Sequence, residues 1–389
     1  MQLNVFSIPL PFGLAELTLT LVSVMICTVM VILGRVQPRL SGRVADLSSV
    51  QAMHVNLTPR VGGVGIFAAI LISILFAPQA AQDNYLRFVL ATSPLFVTGL
   101  IEDLGYGISP RGRLLAAMVA SLAVVLLLEI WMPRTGIPGL DVVASHWAIG
   151  IPLTLLVTAG VANGFNLIDG VNGLAGVTAI GAAIALALIA HEADYERMVP
   201  LATMVAAAVL GFLLLNYPFG RIFLGDAGAY TLGFVLSWFG VAILFHVPTA
   251  SPWAILLTVF WPVADTLLAV YRRSRRNLPA MAPDRLHVHQ LVMRALEIFV
   301  LGRNKRRIAN PLTTLILMPF ILLPPLTGYL LWDKSGQAFI AVMLYGTVFA
   351  VSYLVAVKLC ERMMRHRRKP CLQDTQNQDD EDLLASSQA

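Results

Sequence analysis

Apolar runs long enough to cross a membrane dominate this sequence. Crossing bilayer hydrocarbon takes roughly 20 helical residues, and the chain has about eleven such runs. Of its 389 residues, 57% are apolar and 13% are charged, against about 25% charged in a soluble domain. The pattern predicts an all-α polytopic membrane protein with about ten to eleven transmembrane helices. The runs cover residues 13–34, 61–79, 86–101, 113–132, 146–162, 173–190, 199–216, 227–247, 252–271, 312–332 and 337–358.

Lysine and arginine are divided unevenly between the two sides of the predicted membrane domain. All but four of the 27 lie in loops after odd-numbered runs or near the C-terminus; the exceptions are Arg87, Arg134, Arg197 and Lys334. Because positive charge stays preferentially in the cytoplasm, we expect the N-terminus outside and the C-terminus in the cytoplasm. The basic excess suits anionic headgroups, so the expected partners are membrane lipids and not nucleic acid. One domain is expected over residues 1–369, with an acidic, disordered cytoplasmic tail over 370–389.

Polar clusters are the informative feature of such a chain, because a charge at the bilayer centre costs at least ~2.5 kcal/mol. All of them fall on the predicted cytoplasmic side, so separate loops can build one site. They are residues 54–63 (HVNLTPRVGG), 102–103, 163–173 (NGFNLIDGVNG), 216–226 (NYPFGRIFLGD), Asp265 and 284–290 (DRLHVHQ).

The first of two glycine-containing segments carries Asn163, Asn166, Asp169 and Asn172 at every third position. This spacing favours one face of a helix or tight turn. The pattern fits either an oxygen cluster for Mg²⁺ or a nucleoside, or a turn that satisfies its own backbone.

The second segment places Asp226 between two glycines before an apolar run. A carboxylate there is either open to close approach by a ligand or a helix N-cap. Phe223 can stack on a base or simply pack.

Adjacent acids Glu102 and Asp103 end a predicted span and repel each other unless a cation or shared proton relieves them. A solvated helix end is the alternative. Arg111 and Arg113 follow closely and are candidates for neutralising a lipid phosphate.

Asp265 lies inside an apolar run, so it needs a partner or an aqueous cavity; the alternative is that it reaches the interface beside the arginines at 272 and 273. Arg285, His287 and His289 belong to the longest predicted cytoplasmic loop. The two histidines lack a third ligand of zinc-site spacing, so phosphate contact is the preferred interpretation.

Several strings resemble one family. TPRVGG, NLIDGVNGLAG, FLGDAGAYTLG, PVADTLLAVYRR and PDRLHVHQLVMR are similar to motifs of the polyprenyl-phosphate N-acetylhexosamine-1-phosphate transferases, a part of glycosyltransferase family 4. The resemblance covers about residues 54 to 295. Its Asp-Arg-x-His-x-His form favours the branch that starts common-antigen and O-antigen synthesis over the muramoyl-pentapeptide branch.

The resemblance implies a role for each matching residue. Asn166 and Asp226 would hold Mg²⁺, with Mn²⁺ as an alternative ion, and diphosphate oxygens and water would fill the remaining sites. Asp226 also counts as catalytic, together with Glu102 and Asp103, which would lie near the attacking lipid phosphate. Asn172 with the backbone of Gly170 would contact uracil. The other predicted substrate-binding residues are Asp169, Asn216, Phe223, Asp265, Arg285, His287, His289, Arg111 and Arg113.

The implied reaction is phosphoryl transfer from a UDP-N-acetylhexosamine to undecaprenyl phosphate, releasing UMP. It implies a multi-pass bacterial inner-membrane enzyme whose site faces the cytoplasm and which starts a lipid-linked surface polysaccharide. A homodimer is a family-based expectation.

The chain also departs from the family pattern. Glu102 replaces the usual first aspartate of the acidic pair, the first loop lacks a lysine and leaves His54 and Arg60, and the histidine run is short.

Two other functions stay open on sequence alone. A transporter or flippase would place its acids near mid-membrane and show two-half symmetry, whereas an inactive scaffold would lack Asn166 or Asp226. The sugar, the polymer and the choice between base and positioning roles for Asp103 are undetermined by the sequence.

Overall fold

The computed structural model describes residues 13–37, 39–40, 58–275, 277, 286–302 and 305–358. His54, Arg285 and the predicted tail over 370–389 lie outside the described residues. The chain separates into two compact units, Met1–Tyr345 and Gly346–Ala389. The described part of the second unit, residues 346–358, is helical.

Every predicted apolar run coincides with helical structure, and no strand occurs in the described ranges, so the all-α prediction is confirmed. The first half of the chain forms α1 (Leu14–Val36), α2 (Gly62–Ser73, extended by a 3₁₀ turn at Ile74–Phe76), α3 (Gln79–Asp103), α4 (Pro110–Leu128), α5 (Leu140–Ala144) and α6 (Trp147–Ile168). The second half forms α7 (Leu174–Glu192), α8 (Met198–Asn216), α9 (Gly225–His246), α10 (Pro252–Thr258), α11 (Phe260–Arg275), α12 (Val288–Ala295, continued by a π-helical turn at Leu296–Leu301), α13 (Arg306–Leu330) and α14 (Ser335–Lys358).

Helix starts follow local capping chemistry at two of these boundaries. Ser109 precedes α4 and its Oγ accepts the Gly112 amide at 3.1 Å, and Pro110 occupies the first helical position. Ser251 and Pro252 repeat the arrangement at the start of α10. A serine cap satisfies an otherwise unpaired amide, and proline costs nothing at the first position because its missing N–H has no partner there.

Nine of the described helices are long and apolar enough to cross a membrane, or ten if the bent pair α10 and α11 forms one span. The prediction of ten to eleven transmembrane helices exceeds this number because two of the predicted runs form other structures. Residues 61–79 form only a short apolar helix and a 3₁₀ turn, and residues 252–271 are broken at Val259 with a bend of 87°. The chain is a multi-pass membrane protein with one broken or re-entrant element.

Helix α9 forms the centre of the first unit. In its most apolar 18-residue window 94% of positions are buried, compared with 22% in α1, so α9 contacts protein on all sides while α1 mostly faces the surroundings. It packs against α2, α3, α6 and α7. A Cβ on Gly99 of α3 would lie 2.5 Å from the Cα of Ala227, so the missing side chain permits this close approach.

Arg134 holds the far end of α9. It lies in the connection between α4 and α5, and its guanidinium donates to the carbonyls of Leu244, Val247 and Ala250 at 2.9, 2.7 and 2.7 Å. These carbonyls lie at or just beyond a helix C-terminus, where no intrahelical donor remains. A cation there also suits the negative end of the helix dipole.

Candidate functional site

The site begins where two loops pair side by side. The Gly62 and Gly63 amides donate to the carbonyls of Phe223 and Leu224, both at 2.9 Å, and the Phe223 amide donates to the Pro59 carbonyl at 2.8 Å. Gly225 then has φ +74°, a left-handed conformation that glycine adopts without strain. The chain turns there into α9, which brings Asp226 next to the segment 58–63.

Asp103 receives the amides at the start of α9. Its Oδ1 accepts the Asp226 N–H and its Oδ2 accepts the Ala227 N–H, each at 2.9 Å. The Asp103 side chain is only 1% exposed, and Arg60 Nε lies 3.9 Å from its Oδ1. A carboxylate at a helix N-terminus satisfies unpaired donors and complements the positive end of the dipole. Asp103 of α3 therefore caps the helix that carries Asp226, and Asp226 itself is not the cap.

Asp226 lies between two arginines. Arg60 Nη2 lies 3.2 Å from its Oδ1, and Arg113, from the first turn of α4, forms an ion pair with its Oδ2. Asp226 is 3% exposed, so the two arginines, and not water, offset the negative charge of its carboxylate. The guanidinium carbon of Arg113 lies 5.8 Å from the centre of the Tyr230 ring, a distance that permits a cation–π contact. Arg111, two residues before Arg113, is exposed.

Asn163 and Asn166 lie in the last turns of α6 and face α9, the helix that carries Asp226. The Tyr230 hydroxyl donates to Asn163 Oδ1 at 3.2 Å and also hydrogen-bonds to Asn166. Tyr230 lies one turn after Asp226 on α9, so both asparagines lie close to the Asp226 side of that helix.

Asp169 directly follows α6 and meets the start of α9. Burial raises the pKa of its carboxyl to about 6, although the positive charge of Arg60 and the Gly225 amide act in the opposite direction. The helix ends before the predicted every-third-residue pattern is complete, so Asn172 belongs to the following turn and not to the helix.

Asn172 and Asn216 organise that turn. Asn216 Oδ1 accepts the Gly173 amide at 2.6 Å and its Nδ2 donates to the Ile222 carbonyl at 2.8 Å, so both ends of the amide are used within the protein. Asn172 Nδ2 donates to the Pro218 carbonyl at 3.0 Å. Its Oδ1 is buried and has no hydrogen-bond partner among the described residues. Phe223 is half-buried beside this turn.

Helix α13 contacts the same turn through two hydrogen bonds to the Asn172 backbone. Asn310 Oδ1 of α13 accepts the Asn172 amide at 2.8 Å, and the Thr314 hydroxyl donates to the Asn172 carbonyl at 2.6 Å. The sequence analysis missed both residues. Their spacing of four places them on one helix face, but nothing local points to a contact 138 residues away.

Asp265 pairs with His287. The distance from His287 Nδ1 to Asp265 Oδ2 is 2.7 Å, and Asp265 is fully buried, so it does not reach the interface. His289 stacks on His287 with ring centres 5.7 Å apart and lies against Gly170. Burial lowers the pKa of His289 to about 4, so its imidazole is neutral at pH 7.

The histidine pair and the neighbouring Gln290 carry buried polar atoms that have no partner among the described residues. His287 Nε2, both ring nitrogens of His289 and Gln290 Oε1 are buried without a partner among the described residues. Buried polar groups are normally hydrogen-bonded. The cluster therefore offers donors and acceptors to a polar ligand next to Gly170.

Comparison with known proteins shows similarity to one family. The family model described as glycosyl transferase family 4 matches residues 85–244. A Bacillus subtilis protein called a probable undecaprenyl-phosphate N-acetylglucosaminyl 1-phosphate transferase is 28% identical over 250 residues, covering 64% of this chain and 69% of its own length. Over residues 85–244 the chain is therefore similar to glycosyl transferase family 4.

Two further relatives carry closely similar names. The undecaprenyl-phosphate alpha-N-acetylglucosaminyl 1-phosphate transferase of Yersinia pestis is 26% identical over 335 residues, covering 83% of this chain and 89% of its own length. The protein with that name in Escherichia coli K12 is 27% identical over 264 residues, covering 64% and 69%. The stretch that the family 4 model matches contains Asp103, Asn166 and Asp226 but ends before Asp265.

The structure brings most of the predicted residues to one end of the bundle, and their individual roles stay predictions. Arg285 lies outside the described residues. The Glu102 carboxylate accepts the Ile108 amide in the connection between α3 and α4. Arg60, which the sequence offered with His54 as a polar candidate of the first loop, joins the site, and so does Tyr230, which was not predicted. Both lie in strings that carry the family 4 resemblance, TPRVGG and FLGDAGAYTLG, which was the available signal.

Proposed function

We propose that this chain transfers N-acetylhexosamine 1-phosphate from a UDP-sugar to a polyprenyl phosphate, releasing UMP. The observation that carries the proposal is the pair of arginines around Asp226 at the start of α9. Cations at a helix N-terminus favour phosphate oxygens, and the relatives to which this chain is similar are named for that transfer. The donor in their names, N-acetylglucosamine, is the first to test.

In the proposed reaction an oxygen of the lipid phosphate attacks the β-phosphorus of the UDP-sugar. The bond between that phosphorus and the oxygen bridging it to the α-phosphorus breaks, and UMP leaves with that oxygen. Arg60 and Arg113 are placed to contact the diphosphate and to offset its charge. Such catalysis consists mainly of positioning and charge neutralisation, for which preorganised guanidinium groups are suited.

A divalent cation fits the oxygen ligands beside these arginines. Asn166 and Asp226 would hold it, and no group of three or more His, Cys, Asp or Glu side chains suited to a metal occurs among the described residues. Mg²⁺ is commonly bound by one or two protein oxygens plus substrate phosphates, so the small protein donor set favours Mg²⁺, with Mn²⁺ as the alternative. The ion would supply charge neutralisation at the diphosphate.

The uridine is proposed to bind between the Asn172 turn and the histidine pair. Asn172 Oδ1 and the His289 nitrogens are unpaired among the described residues, and His289 lies directly against Gly170, two residues before Asn172. Phe223 offers a half-buried ring. Asn216, in contrast, is fully engaged by Gly173 and Ile222, so we assign it to holding the turn and not to the ligand.

Asp103 is proposed to position Asp226. Both of its oxygens already accept amides at the start of α9, which leaves little capacity for taking a proton from a substrate. A lipid phosphate monoester is largely ionised at pH 7, so the reaction does not require a base.

The site is proposed to face the cytoplasm of a bacterial inner membrane. Basic residues concentrate in the loops at this end of the bundle, while Arg87, Arg134 and Arg197 lie towards the other end, in accord with the positive-inside rule. Asp103, Asp169 and Asp226 lie at helix ends, whereas a transporter places such acids near mid-membrane.

A transfer assay tests the proposal. The purified full chain in detergent is given undecaprenyl phosphate, Mg²⁺ and a panel of radiolabelled UDP-N-acetylhexosamines. We expect labelled lipid and UMP, and a loss of at least about 100-fold in Asp226→Asn. Asp83→Asn is the matched control, because Asp83 is exposed and pairs only with Arg87.

Removal of the metal completes the test. EDTA should abolish transfer, and Mg²⁺ or Mn²⁺ should restore it. Absence of transfer from every donor by folded protein would refute the proposed function, and full activity in EDTA would refute the metal assignment alone.

A further inference from the structure

A cavity lies at the opposite end of the bundle from the candidate site. It has a volume of about 120 Å³ and lies among the ends of α3, α4, α8 and α9, with Phe88, Leu201, Trp238 and Phe239 on its apolar walls. His246, which also lines it, is 20 residues after Asp226 on α9, which corresponds to about 30 Å along the helix. The cavity is therefore separate from the proposed transferase site.

The mouth of this cavity is positively charged. Arg197 is the one Lys, Arg, Asp or Glu among the described lining residues, and it is exposed. The Tyr195 ring stacks on His246, with centres 4.9 Å apart and an angle of 14°. Burial raises the pKa of Tyr195, and the charge of Arg197 opposes this shift, so the guanidinium acts on the tyrosine at the mouth.

Two of the nearby acids are held by other partners, whereas Glu129 and Asp194, next to lining residues in the sequence, are exposed. Glu196 pairs with His191 at 2.8 Å, and Asp83 pairs with Arg87 at 2.8 Å. Neither acid lines the cavity. None of these four acids is a lining residue, so Arg197 is the charge that an entering headgroup meets first.

Trp238 lines the cavity and carries a buried donor without an acceptor in the described part of the chain. Trp238 is 1% exposed, and its indole N–H has no hydrogen-bond partner among the described residues. An unpaired buried N–H is unfavourable, and a ligand oxygen would satisfy it. This donor and the cationic mouth are independent indications of an amphipathic, anionic ligand.

We propose that the cavity binds a membrane phospholipid with an anionic headgroup, with its phosphate at Arg197 and the first part of one acyl chain between Phe88, Leu201 and Trp238. Engineered apolar cavities of about 150 Å³ hold benzene, so 120 Å³ suits a few methylene groups. An ester oxygen of the same lipid can accept a hydrogen bond from the indole N–H of Trp238. The proposal is independent of transferase activity.

Native mass spectrometry of the full chain in detergent tests the headgroup contact. Phosphatidylglycerol and phosphatidylcholine are titrated separately, and the bound fractions give Kd. We expect wild type to prefer phosphatidylglycerol, and Arg197→Gln to lose about fivefold in affinity for it, the effect of one interfacial cation. Arg87→Gln is the matched control and should bind like wild type, because Arg87 lies on the same end of α3 but outside the cavity. Equal binding by wild type and Arg197→Gln would overturn the proposal.

Fluorescence tests the acyl contact in the unaltered fold. Phosphatidylglycerol brominated near the carboxyl end of its chain should quench a component of the emission that Trp238→Phe lacks. Leu201→Trp, which fills the cavity, should lower binding of both lipids. Quenching that Trp238→Phe leaves unchanged would overturn the acyl placement.

Competition identifies the source of the phosphate. Inorganic phosphate should not displace the lipid, and undecaprenyl phosphate should displace it no better than phosphatidylglycerol itself does. Preferential displacement by the polyprenyl lipid would replace the phospholipid as occupant and refute the proposal.

Discussion

Replacing Asp103 with asparagine separates a positioning role from a base role. In wild type the two carboxylate oxygens accept the Asp226 and Ala227 amides at 2.9 Å. Asparagine offers one oxygen and one NH₂ group, so one of these amides would face a second donor. Asp103→Asn therefore keeps one hydrogen bond and leaves one buried N–H unpaired.

The magnitude follows from the contacts that are lost. A hydrogen bond to a charged group contributes about 1.5–3 kcal/mol, and a carboxylate at a helix N-terminus adds about 0.3–2 kcal/mol through the dipole. The side chain is 1% exposed, so water does not compensate. We expect Asp103→Asn to lower the free energy of unfolding by about 2–5 kcal/mol.

The assay combines thermal unfolding in detergent with a pH profile of kcat. If Asp103 positions Asp226, the Tm falls by several degrees, kcat falls with it, and the acidic limb of the profile keeps its midpoint. Glu102→Gln is the control for stability, because glutamine can still accept the Ile108 amide. An unchanged Tm together with loss of the acidic limb would refute the positioning role and favour a general base.

Three further predictions concern stability. Asn216→Ala removes the acceptor of the Gly173 amide and the donor to the Ile222 carbonyl, so unfolding in detergent should become easier by about 2–6 kcal/mol; a raised KM for the UDP-sugar with unchanged Tm would contradict the structural assignment. Arg134→Gln keeps at most two of the three hydrogen bonds at the end of α9 and should cost about 2 kcal/mol, with the surface variant Arg87→Gln as control. The pKa of His289 is about 4 in the folded protein against an ordinary 6.5, so its stabilising contribution is present above pH 6.5 and declines as the pH falls towards 4. Between pH 7 and 5 wild type should lose about 2 kcal/mol more than His289→Asn; parallel pH profiles would refute this.

The sequence determined the helices and the end of the bundle that carries the polar residues. A run of roughly 20 apolar residues in lipid has to satisfy its own backbone hydrogen bonds, so each predicted run is helical irrespective of its neighbours. The limits of the predicted runs also put Asn166, Asp169 and Asp226 beside helix ends, where the structure has them. These features depend on hydrophobicity and local spacing, which are properties of contiguous residues.

The tertiary structure alone decided how those polar residues are used. Asp103 caps a helix that starts 122 positions later, Asp265 pairs with His287 across a loop, and the turn at Asn172 rests on a helix more than 130 residues away. The bend of 87° at Val259 was equally absent from the apolar pattern, which stays continuous through residues 252–271. Each of these depends on which helices pack together, because a buried polar group pairs with whatever donor or acceptor the packing brings within about 3 Å, and local sequence does not encode that partner.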